Sequence, residues 1–329
     1  MPSAYVITPN YNGLKFLRNY FRSLLEQTYS DFRIIFIDNA SSDGSVEFIK
    51  NDYREYVDER IVLIENDANI GFAASNNQGI RLAMSDPQCK YIVCLNNDTV
   101  VDRDFLRNLI LMAEQIKDAG SVQAKMIWGS RPDLIDSAGL EYSINGLGFN
   151  RGAYEPAEKF EWETEIFGCC AGACLYKREA LEDVEVDGEY FDEDFFAYYE
   201  DFDLALRLRM AGWSSWYAPE STVYHHKGGT KTFVSDFTIY HNWRNCTWTF
   251  LKNMPASLII RYIPFFLLSE VIQVLINLKR GKTIILKAKY DAYRNLGRII
   301  RKRKNIKRTY ESNLKEFLKL KWRVNVPKN

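Results

Sequence analysis

The chain has 329 residues, enough for one large α/β domain with an appendage, and its 47% apolar fraction excludes a chain without a packed core. Lys/Arg and Asp/Glu balance at 43 each, yet residues 279–329 hold 18 basic against 3 acidic residues, so the tail is strongly cationic and the body acidic. Six cysteines in mostly apolar surroundings read as reduced thiols of a cytoplasmic protein, and the start at Met1-Pro2-Ser3 lacks the basic, apolar and small-residue regions of a signal peptide.

From residue 4 to about 127, short apolar β-rich runs alternate with amphipathic helical stretches. The runs are Ala4–Thr8, Phe32–Ile37, Ile61–Glu65, Tyr91–Leu95 and Ser121–Ile127. Leu14, Leu17, Phe21, Leu24 and then Phe105, Leu109, Met112, Ile116 recur at helical spacing. This predicts βαβαβ units with a largely parallel sheet, and in such sheets ligands bind beyond the carboxyl ends of the strands. Those ends are polar: Pro9-Asn10-Tyr11-Asn12-Gly13, Asp38-Asn39-Ala40-Ser41-Ser42-Asp43-Gly44, Asn66-Asp67-Ala68-Asn69-Ile70-Gly71-Phe72 and Asn96-Asn97-Asp98. Each alone is also ordinary turn and helix-cap chemistry. Four in succession on one sheet edge point to a ligand.

Residues 128–235 mix Gly-rich stretches with an acidic run and a helical segment, Tyr199–Met210, that opens on Glu200, Asp201 and Asp203 and closes at Gly212. Carboxylates at a helix start are favoured in their charged form, and such a group can accept a hydroxyl proton. The plainer alternative is a decorated cap with Asp203 pairing Arg207 at i,i+4. His225 and His226 follow, before Lys227-Gly228-Gly229-Thr230, whose cation and backbone N–H groups suit a phosphate lid. From 236 to 329 the chain reads as a helical, basic extension.

Five of these motifs, in order, resemble the motif set of glycosyltransferase family 2: Val6 to Gly13, Ile37 to Ser45, Asn69 to Ala73, Leu95 to Asp98 and Tyr199 to Leu204. The resemblance covers roughly residues 3–250 and implies a GT-A fold, a Rossmann-like mixed α/β sheet flanked by helices. The nucleotide-sugar-binding half is then 1–127 and the acceptor and catalytic half 128–235. It further implies that Tyr11 packs on the nucleobase beside Pro9, and that Asp38 and Asn39 read its polar edge. Asn69, Gly71, Phe72, Asn76, Asn96 and Asn97 complete the donor site. Asp98 with His225 is expected to hold Mg²⁺ or Mn²⁺ against the diphosphate, since hard oxygen ligands suit those ions. Asp201, with Glu200 beside it, is expected to be the base of an inverting transfer. Asn-Asn-Asp keeps only the last acid of the family's DxD motif, a departure shared with a subgroup similar to bacterial rhamnosyltransferases. That makes dTDP-rhamnose the first expectation for the donor and a saccharide or lipid-linked saccharide the acceptor, with other hexosyl donors or a non-catalytic nucleotide-sugar-binding protein as alternatives.

Gly172 and Trp213 are candidate acceptor contacts, although aromatics beside a strand are usually core. Cys169-Cys170-x3-Cys174 lacks the further ligands of a zinc site. Ser257–Leu278 is apolar, but Arg261, Pro264, Glu270 and Gln273 interrupt it as a membrane span. Joined to the basic tail it matches an interfacial helix on the inner, anionic face of the cell membrane, or else a surface packed on the catalytic half or on a second subunit in a homodimer. No nucleic-acid module accompanies the basic run.

Overall fold

A computed structural model describes residues 3–226 and 235–321. Its first half follows the alternation in the sequence: β1 (Ala4–Asn10), α1 (Leu14–Leu25), β2 (Phe32–Asp38), α2 (Ser45–Asp52), β3 (Ile61–Glu65), α3 (Gly71–Met84), β4 (Tyr91–Leu95), β5 (Thr99–Val101), α4 (Phe105–Gln115) and β6 (Ala119–Trp128). The second half adds β7 (Arg131–Ser137), β8 (Leu140–Tyr142), β9 (Gly148–Asn150), β10 (Thr164–Ile166), β11 (Ala173–Lys177), α5 (Arg178–Val184), α6 (Glu200–Ala211) and β12 (Ser214–His225). The extension is helical, with α7 (Asp236–Asn253), α8 (Ala256–Lys279), α9 (Ile284–Arg294) and α10 (Leu296–Arg303).

The main sheet runs β10-β12-β6-β11-β4-β1-β2-β3 without a break between the two halves. β4, β1, β2 and β3 are parallel, as their unbroken apolar runs require when helices cover both faces. β11, which the alternation did not reveal, enters antiparallel between β4 and β6, so the sheet is mixed. Successive residues of β1 face opposite ways: Val6 joins Phe21, Phe36, Val93 and Leu109 in one core layer, and Ile7 joins Ile37, Ile80, Ile92 and Leu208 in the other. α1 buries Leu17, Tyr20, Phe21 and Leu24, the stripe its spacing predicts.

A third core lies between the β8–β9 hairpin, α6 and the extension, where Phe250 stacks on Phe266 at 4.2 Å between ring centroids. Several cations of the extension are spent inside the protein. Lys252 reaches Asp192 at 2.6 Å and Asp203 at 2.7 Å, and Lys302 reaches Asp192 at 2.5 Å, Glu189 at 2.9 Å and Asp194 at 3.1 Å. Burial works against each carboxylate, but the adjoining cations outweigh it and hold Asp192 and Asp203 below the ordinary range.

Among the described residues one helix, α8, is long and apolar enough to cross a membrane. Three of its polar side chains face inward: Ser269 and Asn277 are buried, and Glu270 bonds Lys289 at 2.5 Å, Thr247 at 3.0 Å and Tyr293 at 3.1 Å. Its outer face is apolar, with Ile260 77% and Leu275 60% exposed beside Leu267, Leu268 and Val271.

Candidate active site

The polar strand ends converge as their position predicts. Asn10 ends β1 and donates to Asp38 at 2.7 Å, while Asn97, after β4, donates to Asn10 at 2.5 Å. Asp38 also accepts the Ser41 N–H at 2.8 Å. Asn39 accepts from Ser75 of α3 at 2.8 Å and from Asn66 at 3.1 Å, tying β2 to the loop after β3. Pro9 lies half-buried in β1 and Tyr11 stands exposed at the rim, free to cover a planar ring. Asn10 is the hub of this edge, a role its place in a turn-like run concealed.

Asn69 caps the Gly71 N–H at 3.0 Å and so opens α3. Gly71 has φ of 87°, and a Cβ there would meet the Phe196 ring at 2.6 Å, so this position admits only glycine. Phe72 and Ala73 give their N–H groups to the Phe196 carbonyl at 2.6 and 3.2 Å. Asn76 is fully buried; its Nδ2 bonds the Phe72 carbonyl at 2.9 Å, and its Oδ1 has no partner among the described residues.

Asp98 and His225 meet. Thr99 of β5 pairs with His225 of β12, which sets the preceding Asp98 against the imidazole, with His225 Nε2 3.0 Å from Asp98 Oδ1. The far side of the ring holds a residue the motif reading missed: Asp136 of β7, 2.6 Å from His225 Nδ1. Burial opposes charge on the imidazole, but the hydrogen bonds to Asp136 and Asp98 prevail and hold its pKa up to about 9.

A carboxylate behind a histidine whose other nitrogen faces a second carboxylate is the arrangement that orients a metal ligand. Asp98 and His225 Nε2 therefore fit a divalent cation, provided that Nε2 gives up its proton on ligation. Among the described residues no group of three or more His, Cys, Asp or Glu encloses a cation by itself. The remaining coordination suits substrate phosphates, as is usual for Mg²⁺.

The acidic trio at the start of α6 divides. Asp203 is fully buried and structural, paired with Arg207 at 2.9 Å and Lys252 at 2.7 Å. Glu200 is buried, its Oε2 without a partner among the described residues, and burial with the adjacent Asp201 raises its pKa well above the carboxylate range. Asp201 is partly exposed. It accepts the Phe202 N–H at 2.8 Å, the Ala171 N–H and the Cys170 thiol, yet burial outweighs these bonds and lifts it to about 6. The helix-start argument, which favours ionisation, is thus corrected: desolvation is the larger effect for Glu200 and Asp201.

The loop that touches Asp201 through Cys170 and Ala171 also bonds the donor side, since the Gly172 carbonyl accepts the Asn96 N–H at 2.9 Å. A Cβ on Gly172 would crowd Met126 and Asn96 at 3.1 and 3.2 Å. Trp213 is not brought here. It follows the far end of α6, where its Nε1 bonds Asp183 at 3.1 Å. Lys227-Gly228-Gly229-Thr230 lies outside the described residues.

A mixed α/β sheet with this edge is a GT-A glycosyltransferase fold. S. aureus TarS 1–349, solved with UDP-GlcNAc, superposes with a TM-score of 0.59 at 15% identity, over 96% of this chain and 92% of that one. The mannosyltransferase PcManGT of Pyrobaculum calidifontis, solved with GDP-Man and Mn²⁺, gives 0.53 at 18% identity, over 89% and 75%. The chain belongs to glycosyl transferase family 2, whose model matches residues 5–185. In sequence it is similar to the N-acetylglucosaminyl-diphospho-decaprenol L-rhamnosyltransferase of Mycobacterium tuberculosis, 26% identical over 240 residues, 68% of this chain and 75% of that one. It spans about a quarter of the length of other curated relatives that it matches.

Proposed function

We propose that the protein is an inverting glycosyltransferase that moves a sugar from a nucleotide diphosphate to a hydroxyl of a saccharide or lipid-linked saccharide. The observation that carries this reading is Asp201: a carboxylate partly exposed, poised near pH 6, and linked through one short loop to the Asn96-Asn97-Asp98 edge. A general base works best when its pKa lies close to the working pH. As the acceptor oxygen bonds to the anomeric carbon, its proton passes to Asp201, the bond from that carbon to the diphosphate oxygen breaks, and the configuration inverts. Glu200, kept neutral, leaves Asp201 as the ionised member of the pair. Asp98 and His225 would hold Mg²⁺ or Mn²⁺, which supplies positive charge to the departing diphosphate.

On the donor side Asp38 and Asn39 face the nucleoside, and Tyr11 stacks on the base. Similarity to the mycobacterial rhamnosyltransferase supports dTDP-rhamnose as donor and a lipid-linked saccharide as acceptor. Calorimetry of dTDP-, UDP- and GDP-sugars with and without Mn²⁺, followed by product analysis, tests this. Binding that ignores both nucleotide and metal would overturn it.

The outer face of α8 supports a seat on the cytoplasmic face of an anionic membrane, near such an acceptor. Glu270 is the one carboxylate between residues 256 and 290, and it is internally paired, whereas Arg261, Lys279, Arg280 and Lys287 are exposed. Apolar side chains ringed by cations match anionic headgroups over acyl chains. A symmetric contact with a second copy would set those same cations against one another. The inward hydrogen bonds of Glu270 keep the helix lying on the protein rather than spanning.

A further inference from the structure

The residues leading into α6 adopt a costly backbone. Phe196, Tyr198 and Tyr199 all have positive φ, at 66°, 69° and 69°, in the left-handed region that side chains of this size rarely enter. Each such residue carries a steric penalty, so the surroundings must impose the shape. The segment ends directly on Glu200 and Asp201, and any relaxation of it would swing the start of α6.

The imposing group comes from the extension. Asn245 of α7 is fully buried, and its side-chain NH₂ shares its two hydrogens among three carbonyls of the segment: Phe195 at 2.9 Å, Ala197 at 2.9 Å and Tyr198 at 2.7 Å. Its neighbour Arg244 adds bonds to the carbonyls of Asp194 at 3.0 Å and Phe195 at 2.9 Å. Without these donors the converging carbonyls would be mutually repelling acceptors, that of Phe195 in a buried residue. The opposite side of the segment is held by α3, through the Phe196 carbonyl. Asn245 lies outside residues 5–185, the stretch that defines the family match.

We propose that Asn245 is a positioning residue for Asp201: it holds residues 195–199 in their left-handed bends and thereby fixes the carboxylate against the Cys170–Ala171 loop. The inference rests on Asp201 being the base. A misplacement of about 1 Å at a reacting group lowers rate on the order of 10²-fold, so Asn245→Ala should lower kcat about 10- to 100-fold while the donor Kd stays within about twofold, by that same geometric argument. Asn245→Ser, which keeps one donor, should fall between and serves as the folded variant if alanine is not tolerated.

The decisive measurement is a suppressor. Glycine adopts positive φ freely, so adding Tyr198→Gly to either variant should recover kcat at least fivefold, a rescue that a general packing defect would not show. Unchanged kcat in Asn245→Ala, donor affinity falling in step with rate, or no rescue by glycine would each overturn the proposal. Failure of the underlying reading is seen separately, as an Asp201→Asn variant that still transfers sugar.

Discussion

Asp201→Asn should make the protein more stable and nearly inactive. Raising this carboxyl from 3.8 to about 6 penalises the folded state by about 3 kcal/mol wherever both folded and unfolded chains are ionised, that is above pH 6. The penalty shrinks as pH falls through 6 and vanishes below the unfolded value, where both forms are protonated. An amide removes it but loses about 1 kcal/mol by turning an N–H₂ toward the Ala171 N–H. Partial exposure discounts the remainder, leaving about 1–2 kcal/mol at pH 8. For 329 residues the unfolding entropy is about 0.7 kcal/mol/K, so Tm should rise by about 1–3 °C at pH 8 and by less at pH 5. Transfer should fall about 10²–10⁴-fold with donor affinity retained. Wild-type kcat/KM should drop about tenfold per pH unit below 6. Scanning fluorimetry at the two pH values, paired with product formation, checks all of this. A variant less stable at pH 8, or one with normal turnover, refutes the reasoning.

Asp136→Asn should weaken Mn²⁺ binding about 10- to 100-fold by removing the group that orients His225, and Asp98→Ala should abolish the metal's effect on donor affinity; calorimetry that finds either response unchanged moves the cation elsewhere. Lys252→Met leaves Asp192 and Asp203 leaning on Lys302 and Arg207 alone, and should cost about 3 kcal/mol in urea unfolding; a loss below about 1 kcal/mol would contradict the role given to that cation. Leu267→Glu with Leu275→Glu on the exposed face of α8 should lower binding to phosphatidylglycerol vesicles at least about tenfold in flotation, by the depth cost of charge at the interface. Indifference of the wild type to vesicles, with a dimer that the double variant dissolves, would assign the face to a second copy.

The strand-end loops were legible because two independent signals coincide there: the β-rich runs locate the sheet edge, and residues such as Asn97 and Asp38 are polar where turns alone would not demand that set. β11 and β12 were not, since Ala173–Lys177 follows a Gly- and Cys-rich stretch outside the strand–helix alternation and Ser214–His225 is broken by a register shift between Ala218 and Thr222. Asp136 sits in an unremarkable stretch and becomes a partner of His225 only because β7 and β12 flank β6 on the sheet. The basic tail looked free because its counterions are remote: Lys302 and Asp192 are 110 residues apart, Lys307 and Asp183 are 124. Four residues of α8 interrupt its sequence as a membrane span, Arg261, Pro264, Glu270 and Gln273, whereas the fold turns Glu270 inward and leaves Leu267, Leu268, Val271 and Leu275 exposed together.

The acids around Asp192 also bear on how the chain is made. Glu189, Asp192, Asp194 and Asp203 leave the ribosome well before Lys252 and Lys302, 60 and 110 residues after Asp192. Until then Arg207, paired with Asp203, is the one cation partner of these four carboxylates among the described residues, and the excess negative charge opposes seating of α6. We expect a nascent chain to form the parallel strands of its first half early and to seat Asp201 only when the distal lysines arrive. On the proposed function, a chain truncated before those lysines should keep the edge formed by Asn10, Asp38 and Asn97 yet leave Asp201 unplaced.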